Sequence, residues 1–298
     1  MKILIAGGSG LVGSHLVPML MSKGHEVFIL TTKKNFGAKP YHQLYWDPKK
    51  GHLPKEALKD THVVINLAGY SIANRWTATN KQLMIDSRLD STATLVRAFK
   101  EINQPVELWL GASASGFYEA SNEPKKENDI AATDFLGHLT SNWEQANNEI
   151  GHLAKRKVIL RIPVVLASED GALKKMLPLY KNGLGAPVGN GRQSTTWIHV
   201  DDLARFIVFS IEEKHIDGTY NIGSTEVVSN KEFSEHLSKA LGKPHFLPPV
   251  PAFVIKLLYG EMAALVLQGR HLNTDKFQST GFQLRYPTLN QSLAHLLA

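Results

Sequence analysis

The 298-residue chain is 43% hydrophobic and 20% charged, the balance of a soluble globular protein long enough to bury a substantial α/β core. Its formal charge of +6 comes from Lys and Arg scattered with no basic helix or aromatic ladder beside them, which argues against a nucleic-acid partner and for an anionic small molecule. The absence of cysteine removes disulfide and thiolate chemistry and fits a reducing cytoplasm, and with no apolar run near the roughly 18 residues of a span, no membrane role is expected.

Lys2 to Ala6 read as a short apolar strand, followed by Gly7-Gly8-Ser9-Gly10-Leu11-Val12-Gly13 and a helix-spaced stretch from Ser14 to Lys23 that stops at Gly24. Since the chain opens directly on this strand, no signal or transit peptide is expected. A second strand spans Glu26 to Leu30. A dinucleotide pyrophosphate needs such an arrangement. Glycine allows the tight turn and close approach of backbone to phosphate, and the charge rests on the free N–H groups at the helix start. Gly7, Ser9, Gly10, Leu11, Val12 and Gly13 are therefore the expected pyrophosphate cradle. The spacing is G-x-x-G-x-x-G, not G-x-G-x-x-G.

After the second strand stand Thr31-Thr32-Lys33-Lys34, where an NAD-binding domain usually carries an acid for the ribose hydroxyls. Hydroxyls and cations suit a 2′-phosphate, so NADP is expected in preference to NAD. The polar stretch to Lys59 holds a short third strand around His42 to Trp46, and the apolar run from His62 predicts a buried parallel strand. The latter ends in Leu67, Ala68 and Gly69, on the same sheet edge as the glycine loop. Past Arg75 and Trp76, a helix with Leu83, Ile85, Leu89, Leu95, Val96 and Phe99 carries Arg88, by spacing either a phosphate ligand or a surface charge.

A fifth strand, Glu107 to Gly111, opens into Ala112-Ser113-Ala114-Ser115-Gly116-Phe117-Tyr118, whose hydroxyls are either donors to a substrate oxygen or turn residues. An acidic connection leads to a helix around Phe135 to Ala154, then a sixth strand, Lys157 to Leu166. Beyond it come a helix from Leu173 to Leu184, a glycine-rich loop to Gln193, a strand-to-helix passage from Thr195 to Leu203 and a last strand from Thr219 to Gly223. Glu226 to Gly242 reads as a short strand-like stretch and helix, and Ala252 to Leu267 as an apolar helix. The expected architecture is α/β: a Rossmann-type doubly wound parallel sheet from residues 1–165 plus about 195–225, with a smaller C-terminal α/β substrate lobe from about 166–194 plus 226–298. The histidines, thirteen in all, show no ligand pair at helical spacing, so no metal is expected.

With Gly7 to Gly13, Asn66-Leu-Ala-Gly69, the Ser113 strand end and Trp197-Ile-His-Val-Asp-Asp202 in place, the chain resembles the short-chain dehydrogenase/reductase superfamily in its extended, nucleotide-sugar-epimerase-like branch. It is most similar to the atypical subgroup of epimerase family proteins, through Arg75-Trp76, Ser87-Arg88, Gly191-Arg-Gln193, Asn230-Lys-Glu-Phe233, Gly260-Glu-Met262 and Gly281-Phe282 in the same order. The resemblance implies that the glycine loop, Thr31 to Lys33, Leu67, Ala68 and Arg88 contact NADP, and that the C-terminal lobe shapes a substrate cleft.

That superfamily's reaction uses a Tyr and a Lys four residues later on one helix face, the lysine lowering the tyrosine's pKa for proton transfer. The single Tyr-x-x-x-Lys here, Tyr45 to Lys49, lies too early and contains a proline, and the expected place holds Leu136 and Thr140. Tyr118 with Ser113 or Ser115 is the substitute pair, Ser113 being preferred. His199 is either a base or a structural link from strand to helix, Glu144 and His138 flank the vacated place on what reads as a surface helix, and Asp201 and Asp202 are expected to cap the next helix. Arg75, Trp76, Arg192, Gln193 and Trp197 offer guanidinium groups, an amide and indole faces to a planar or anionic substrate, packing being their alternative use. Two functions follow: an NADP-dependent oxidoreductase or epimerase-like enzyme on a small polar or sugar-like substrate, or a catalytically silent NADP(H)-binding sensor or scaffold. A homodimer is allowed but required by nothing in the sequence.

Overall fold

A computed structural model describes residues 1–298. Its first third builds one half of a parallel sheet from β1 (Lys2–Ala6), β2 (Glu26–Thr31), β3 (His42–Tyr45) and β4 (Thr61–Asn66), with helices α1 (Leu11–Ser22), α2 (Lys55–Leu58) and α3 (Ala78–Glu101). The middle supplies β5 (Leu108–Ala114), β6 (Ser121–Lys125), α4 (Phe135–Asn148), β7 (Lys157–Ile162), β8 (Val164–Leu166) and α5 (Gly171–Lys181). Next come β9 (Ser194–Thr195), β10 (Trp197–His199), α6 (Val200–Glu212), β11 (Gly218–Asn221), β12 (Val228–Ser229) and α7 (Asn230–Ala240). The tail holds α8 (Ala252–Tyr259), α9 (Ala264–Leu267), β13 (Arg270–Leu272), α10 (Asp275–Gln278) and α11 (Leu289–Leu297). No helix is long and apolar enough to cross a membrane.

Seven strands form the main sheet in the order β11-β7-β5-β4-β1-β2-β3, every pairing parallel. The strand order reverses at β1, which lies between β2 and β4, and ligands of doubly wound sheets bind outside the strand ends at such a switch. β1 explains why the sheet is covered on both sides. Ile3 and Ile5 join one core with α1 and α6, whereas Leu4 and Ala6 join another with Leu95 and Phe99 of α3. A continuous apolar strand can bury all its side chains only with helices on both faces.

Three expected elements are interrupted. The sixth strand divides at Pro163, which has no N–H for a ladder: β7 stays in the main sheet, while β8 leaves it to pair with β10. The helix through Ala154 stops at Asn148, shortly before Gly151 with φ +58°. The apolar helix of the tail breaks at Gly260, φ +60°. Conversely, β6 lies in the stretch expected to be an acidic connection. Its Ser-Asn-Glu-Pro-Lys sequence carries no strand signal, and it occupies the edge of a small sheet ordered β12-β9-β13-β6, the position where proline is tolerated.

Candidate functional site

The end of β1 turns through Gly7 with φ +81°, a left-handed conformation that only glycine adopts without penalty. A β-carbon there would lie 2.6 Å from the backbone carbon of Leu67, and one on Gly13 would lie 2.3 Å from the oxygen of Gly8. Bare backbone thus brings the loop against the end of β4 and packs helix on turn. Gly10 is the N-cap of α1 and offers no side-chain cap, so the N–H groups of the first turn, with the positive end of the helix dipole, are left for an anion. Ser9 and Gly10 are exposed, and Leu11 and Val12 half-buried.

The β4 end is ordered by Asn66, fully buried, whose side chain donates to Thr92 Oγ1 and accepts from the N–H of Ala68 at 3.2 Å. Leu67 and Ala68 are half-buried and Gly69 is exposed beside the glycine loop. Gly69 faces Arg88 of α3 so closely that a β-carbon would come within 2.9 Å of the guanidinium carbon. Arg88 donates through Nη1 to the carbonyls of Tyr70 and Met84, both at 3.0 Å, and its guanidinium carbon lies 5.0 Å from the centre of the Trp143 ring. No carboxylate pairs with it, and burial lowers its pKa to about 10. A half-buried cation without a counter-charge is costly, and an incoming anion removes that cost.

At the end of β2, Thr31 is half-buried and accepts from the backbone N–H of Lys33 at 3.2 Å, while Thr32 and Lys33 are exposed. Thr31 and Lys33 line a groove of about 700 Å³ together with Gly8, Ser9, Lys39 and Tyr41. The groove joins the glycine loop to a pair of lysines. The residues present therefore fit a dinucleotide whose ribose carries an extra phosphate.

The expected catalytic pair lies in a different setting. Ser113 is 2% exposed and donates to Glu144 Oε1 at 2.6 Å. Tyr118 has no exposed surface. Its hydroxyl donates to Asn221 Oδ1 at 2.8 Å and accepts from Arg161 Nη1. Burial raises the pKa of this phenol even though Arg161 and its hydrogen bonds pull the other way. Glu144 is buried, not on a solvated helix face as expected, and takes both Nε and Nη2 of Arg161 at 2.8 Å each. His138, by contrast, is exposed. Ser113, Glu144, Arg161, Tyr118 and Asn221 thus form one closed buried network, whose hydroxyls are already committed within the protein. Ser115 is half-buried at the start of a short 3-10 turn.

The place of the missing tyrosine and lysine is filled. Leu136 is 4% exposed and packs at Gly116, and Thr140 donates back to the carbonyl of Leu136 at 2.8 Å. His199 is 1% exposed, and its Nδ1 accepts from the N–H of Asp201 at 3.0 Å, capping α6 in place of the expected aspartates. With Nδ1 as acceptor, neutral His199 carries its proton on Nε2, which faces His295 Nδ1 at 3.1 Å. That tautomer leaves no lone pair for a metal, although His199, Asp201 and His295 lie together. Asp202 accepts from Arg205 and from the backbone of Arg285 and Tyr286.

The expected substrate residues separate. Arg75 is exposed, and Trp76 sets its ring edge-on to Phe135 at 5.2 Å while its indole donates to the carbonyl of Ile72. Trp197 is not at a surface: it has no exposed area and sits in a buried cluster with Leu166, Leu173 and Val228. Gln193 is buried and pins the carbonyls of Val188 and Val266. Arg192 is exposed and lines a second cavity, about 710 Å³, that contains none of the glycine loop. The one signal of the Glu144–Arg161 pair in the sequence is an arginine inside Val-Ile-Leu-Arg-Ile-Pro, because a charge in a buried strand needs a partner.

The model of the NAD dependent epimerase/dehydratase family matches residues 3–223. This chain belongs to that family. A domain of unknown function (DUF1731) matches residues 250–296. Among relatives of this member, the mouse epimerase family protein SDR39U1 is 33% identical over 304 residues, covering 100% of both chains. YfhF of Bacillus subtilis is 34% identical over 301 residues, covering 100% of this chain and 98% of that protein. A crystal structure of human SDR39U1 (isoform 2) with NADPH superposes with a TM-score of 0.90 at 30% identity, covering 99% of each chain.

Proposed function

We propose that this chain binds NADP(H) and acts as a cofactor-holding sensor or scaffold, not as a tyrosine-driven dehydrogenase or epimerase. Binding is supported by the Gly7 and Gly13 cradle, the uncapped start of α1, the unpaired Arg88 and the Thr31–Lys33 groove, together with the NADPH in the human relative's structure. The observation that carries the silent reading is the closed network around Arg161: Ser113 and Tyr118 spend their hydroxyls on Glu144 and Asn221, and Leu136 and Thr140 stand where the proton relay would be. When bound, NADPH would supply a hydride. This chain's residues would hold the pyrophosphate at α1 and the 2′-phosphate at Lys33, while Tyr118, the phenol expected to move the accompanying proton, is buried and committed to Asn221.

The test is a thermal-shift series with NADPH, NADP, NADH and NAD beside NADPH absorbance over a panel of aldehydes, ketones and nucleotide sugars. Preferential stabilisation by the phosphorylated cofactors with no consumption is expected. Consumption that disappears in Tyr118→Phe or Ser113→Ala would overturn the silent reading. Turnover on a small polar or sugar-like substrate is the second reading, supported by Lys81, which lies 5.8 Å from the Trp76 ring centre and 5.1 Å from that of Phe135. Lys81 also pairs with Glu261, so a polar anionic substrate on this aromatic shelf would take the place of that carboxylate. Consumption independent of Tyr118 and lost in Lys81→Met would favour it.

A further inference from the structure

His15 lies in α1, two residues beyond Gly13, and both of its ring nitrogens face carboxylates. Nδ1 is 2.6 Å from Asp201 Oδ1 and Nε2 is 2.5 Å from Glu169 Oε1. An ionised carboxylate offers only lone pairs, so each nitrogen has to bring a hydrogen, and a neutral imidazole has one. The geometry is that of an imidazolium between two carboxylates. Burial opposes the charge, but the hydrogen bonds to Glu169 and Asp201 outweigh it and raise the pKa of His15, while His15 holds Glu169 below its ordinary value against the effect of burial.

The three partners belong to three segments. His15 sits on the helix that opens at the glycine loop, Asp201 is in the first turn of α6, and Glu169 is in the segment that leads from β8 into α5. That segment reaches the loop itself, since a β-carbon on Gly171 would be 3.5 Å from Leu11 Cδ2. The other polar and titratable neighbours are few. Ser168 donates to Glu169, His199 Nδ1 is 4.0 Å from Asp201 Oδ2, and His295 touches His199. Asp202 is occupied by Arg205 and two backbone N–H groups.

We infer that His15 is a proton-operated clasp that, as an imidazolium, holds residues 167–171 over the glycine loop and slows exchange of the dinucleotide, and that on losing its proton releases Glu169. Glu169 is the arm that lets go because its side chain is 48% exposed, against 17% for Asp201. A neutral ring keeps one N–H, and the less solvated carboxylate retains it. The clasp deepens the cofactor reading and depends on it only for the rate of exchange.

The test takes the full chain through a pH series from below to above the His15 titration, itself followed by histidine NMR. Amide hydrogen exchange of residues 175–177, the first hydrogen-bonded amides of the helix that residues 167–171 lead into, is measured without cofactor, and NADPH dissociation by stopped-flow fluorescence. Protection is expected to fall as His15 deprotonates, and NADPH to leave faster by roughly two- to fivefold, the range for an ion pair of this exposure. Glu169→Gln, an exposed change that leaves the fold intact, should exchange fast at every pH, and His15→Gln likewise. Protection independent of pH, or unchanged in Glu169→Gln, would overturn the clasp. Protection that moves while NADPH dissociation stays flat would overturn its control of exchange. No binding of NADPH at any pH would refute the cofactor reading instead, and the clasp would then stand or fall on amide exchange alone.

Discussion

A methyl group separates tolerated from forbidden at the glycine loop. On Gly13 it would meet the Gly8 oxygen at 2.3 Å, whereas on Gly10 its nearest neighbour would be the Gly7 oxygen at 3.3 Å. Gly13→Ala is expected to lose about 1–3 kcal/mol of stability, as overpacked sites do, together with NADPH binding. Gly10→Ala should retain the fold, and thermal melts with and without NADPH compare the two. Lys33→Glu should weaken NADPH by roughly tenfold, one charge-assisted hydrogen bond, with NADH unaffected; calorimetry showing equal loss for both would remove Lys33 from the 2′-phosphate. Two histidines give stability opposite slopes with pH. Burial lowers the His199 pKa from 6.5 to about 4, so the unfolded chain takes up a proton the folded one refuses. Stability should therefore fall as pH drops from about 6.5 to about 4, by up to roughly 3 kcal/mol. His15 is shifted upward. Its contribution is complete below 6.5 and lost as pH rises through the raised value, so urea melts should show a stability maximum between the two, with the acid limb flattened in His199→Gln.

Among elements, the decisive join is the one Arg161 makes from β7 to α4 through Glu144 and to the 115–118 turn through Tyr118, with its guanidinium carbon 3.5 Å from the Phe117 ring centre. Arg161 also donates to the carbonyl of Glu127, and Asn221 of β11 donates to the carbonyls of Lys125 and Asn273, so the network reaches the small sheet β12-β9-β13-β6. Glu144→Gln leaves a buried guanidinium without its counter-charge and should cost about 3–5 kcal/mol in urea denaturation. Ser113→Ala removes one hydrogen bond to the same carboxylate and should cost about 1 kcal/mol. A loss for Glu144→Gln no larger than for Ser113→Ala would show that the pair is not what joins these elements.

At the scale of the molecule, sheet and tail share a core. Phe277 and Phe282 pack on Phe206 of α6, with ring centres 4.8 and 5.3 Å apart, and belong to the same buried cluster as Ile3 and Val158 of the sheet. A chain ending at residue 249 would expose Phe206 and its neighbours, and each fully uncovered aromatic or aliphatic side chain costs about 1.5–3 kcal/mol. The truncated chain is expected to be insoluble or molten, seen as loss of near-ultraviolet circular dichroism. A cooperative melt from residues 1–249 would show that the sheet folds without its tail.

The sequence alone determined the elements whose signal is local: strand β1, the glycine turn, the start of α1 and the missing tyrosine–lysine pair are each legible within a dozen residues, because backbone conformation and periodicity are set by neighbours in the chain. The direction in which Ser113, Tyr118, Glu144 and Trp197 point was decided only by the tertiary structure. Their partners lie 31, 103, 17 and 31 positions away, in Glu144, Asn221, Arg161 and Val228. The same holds for His15, whose carboxylates stand 154 and 186 residues further along. A hydroxyl, a ring or a charge carries no record in sequence of what will surround it. Whether it serves a ligand or the fold follows from desolvation, and desolvation exists only once distant segments have packed.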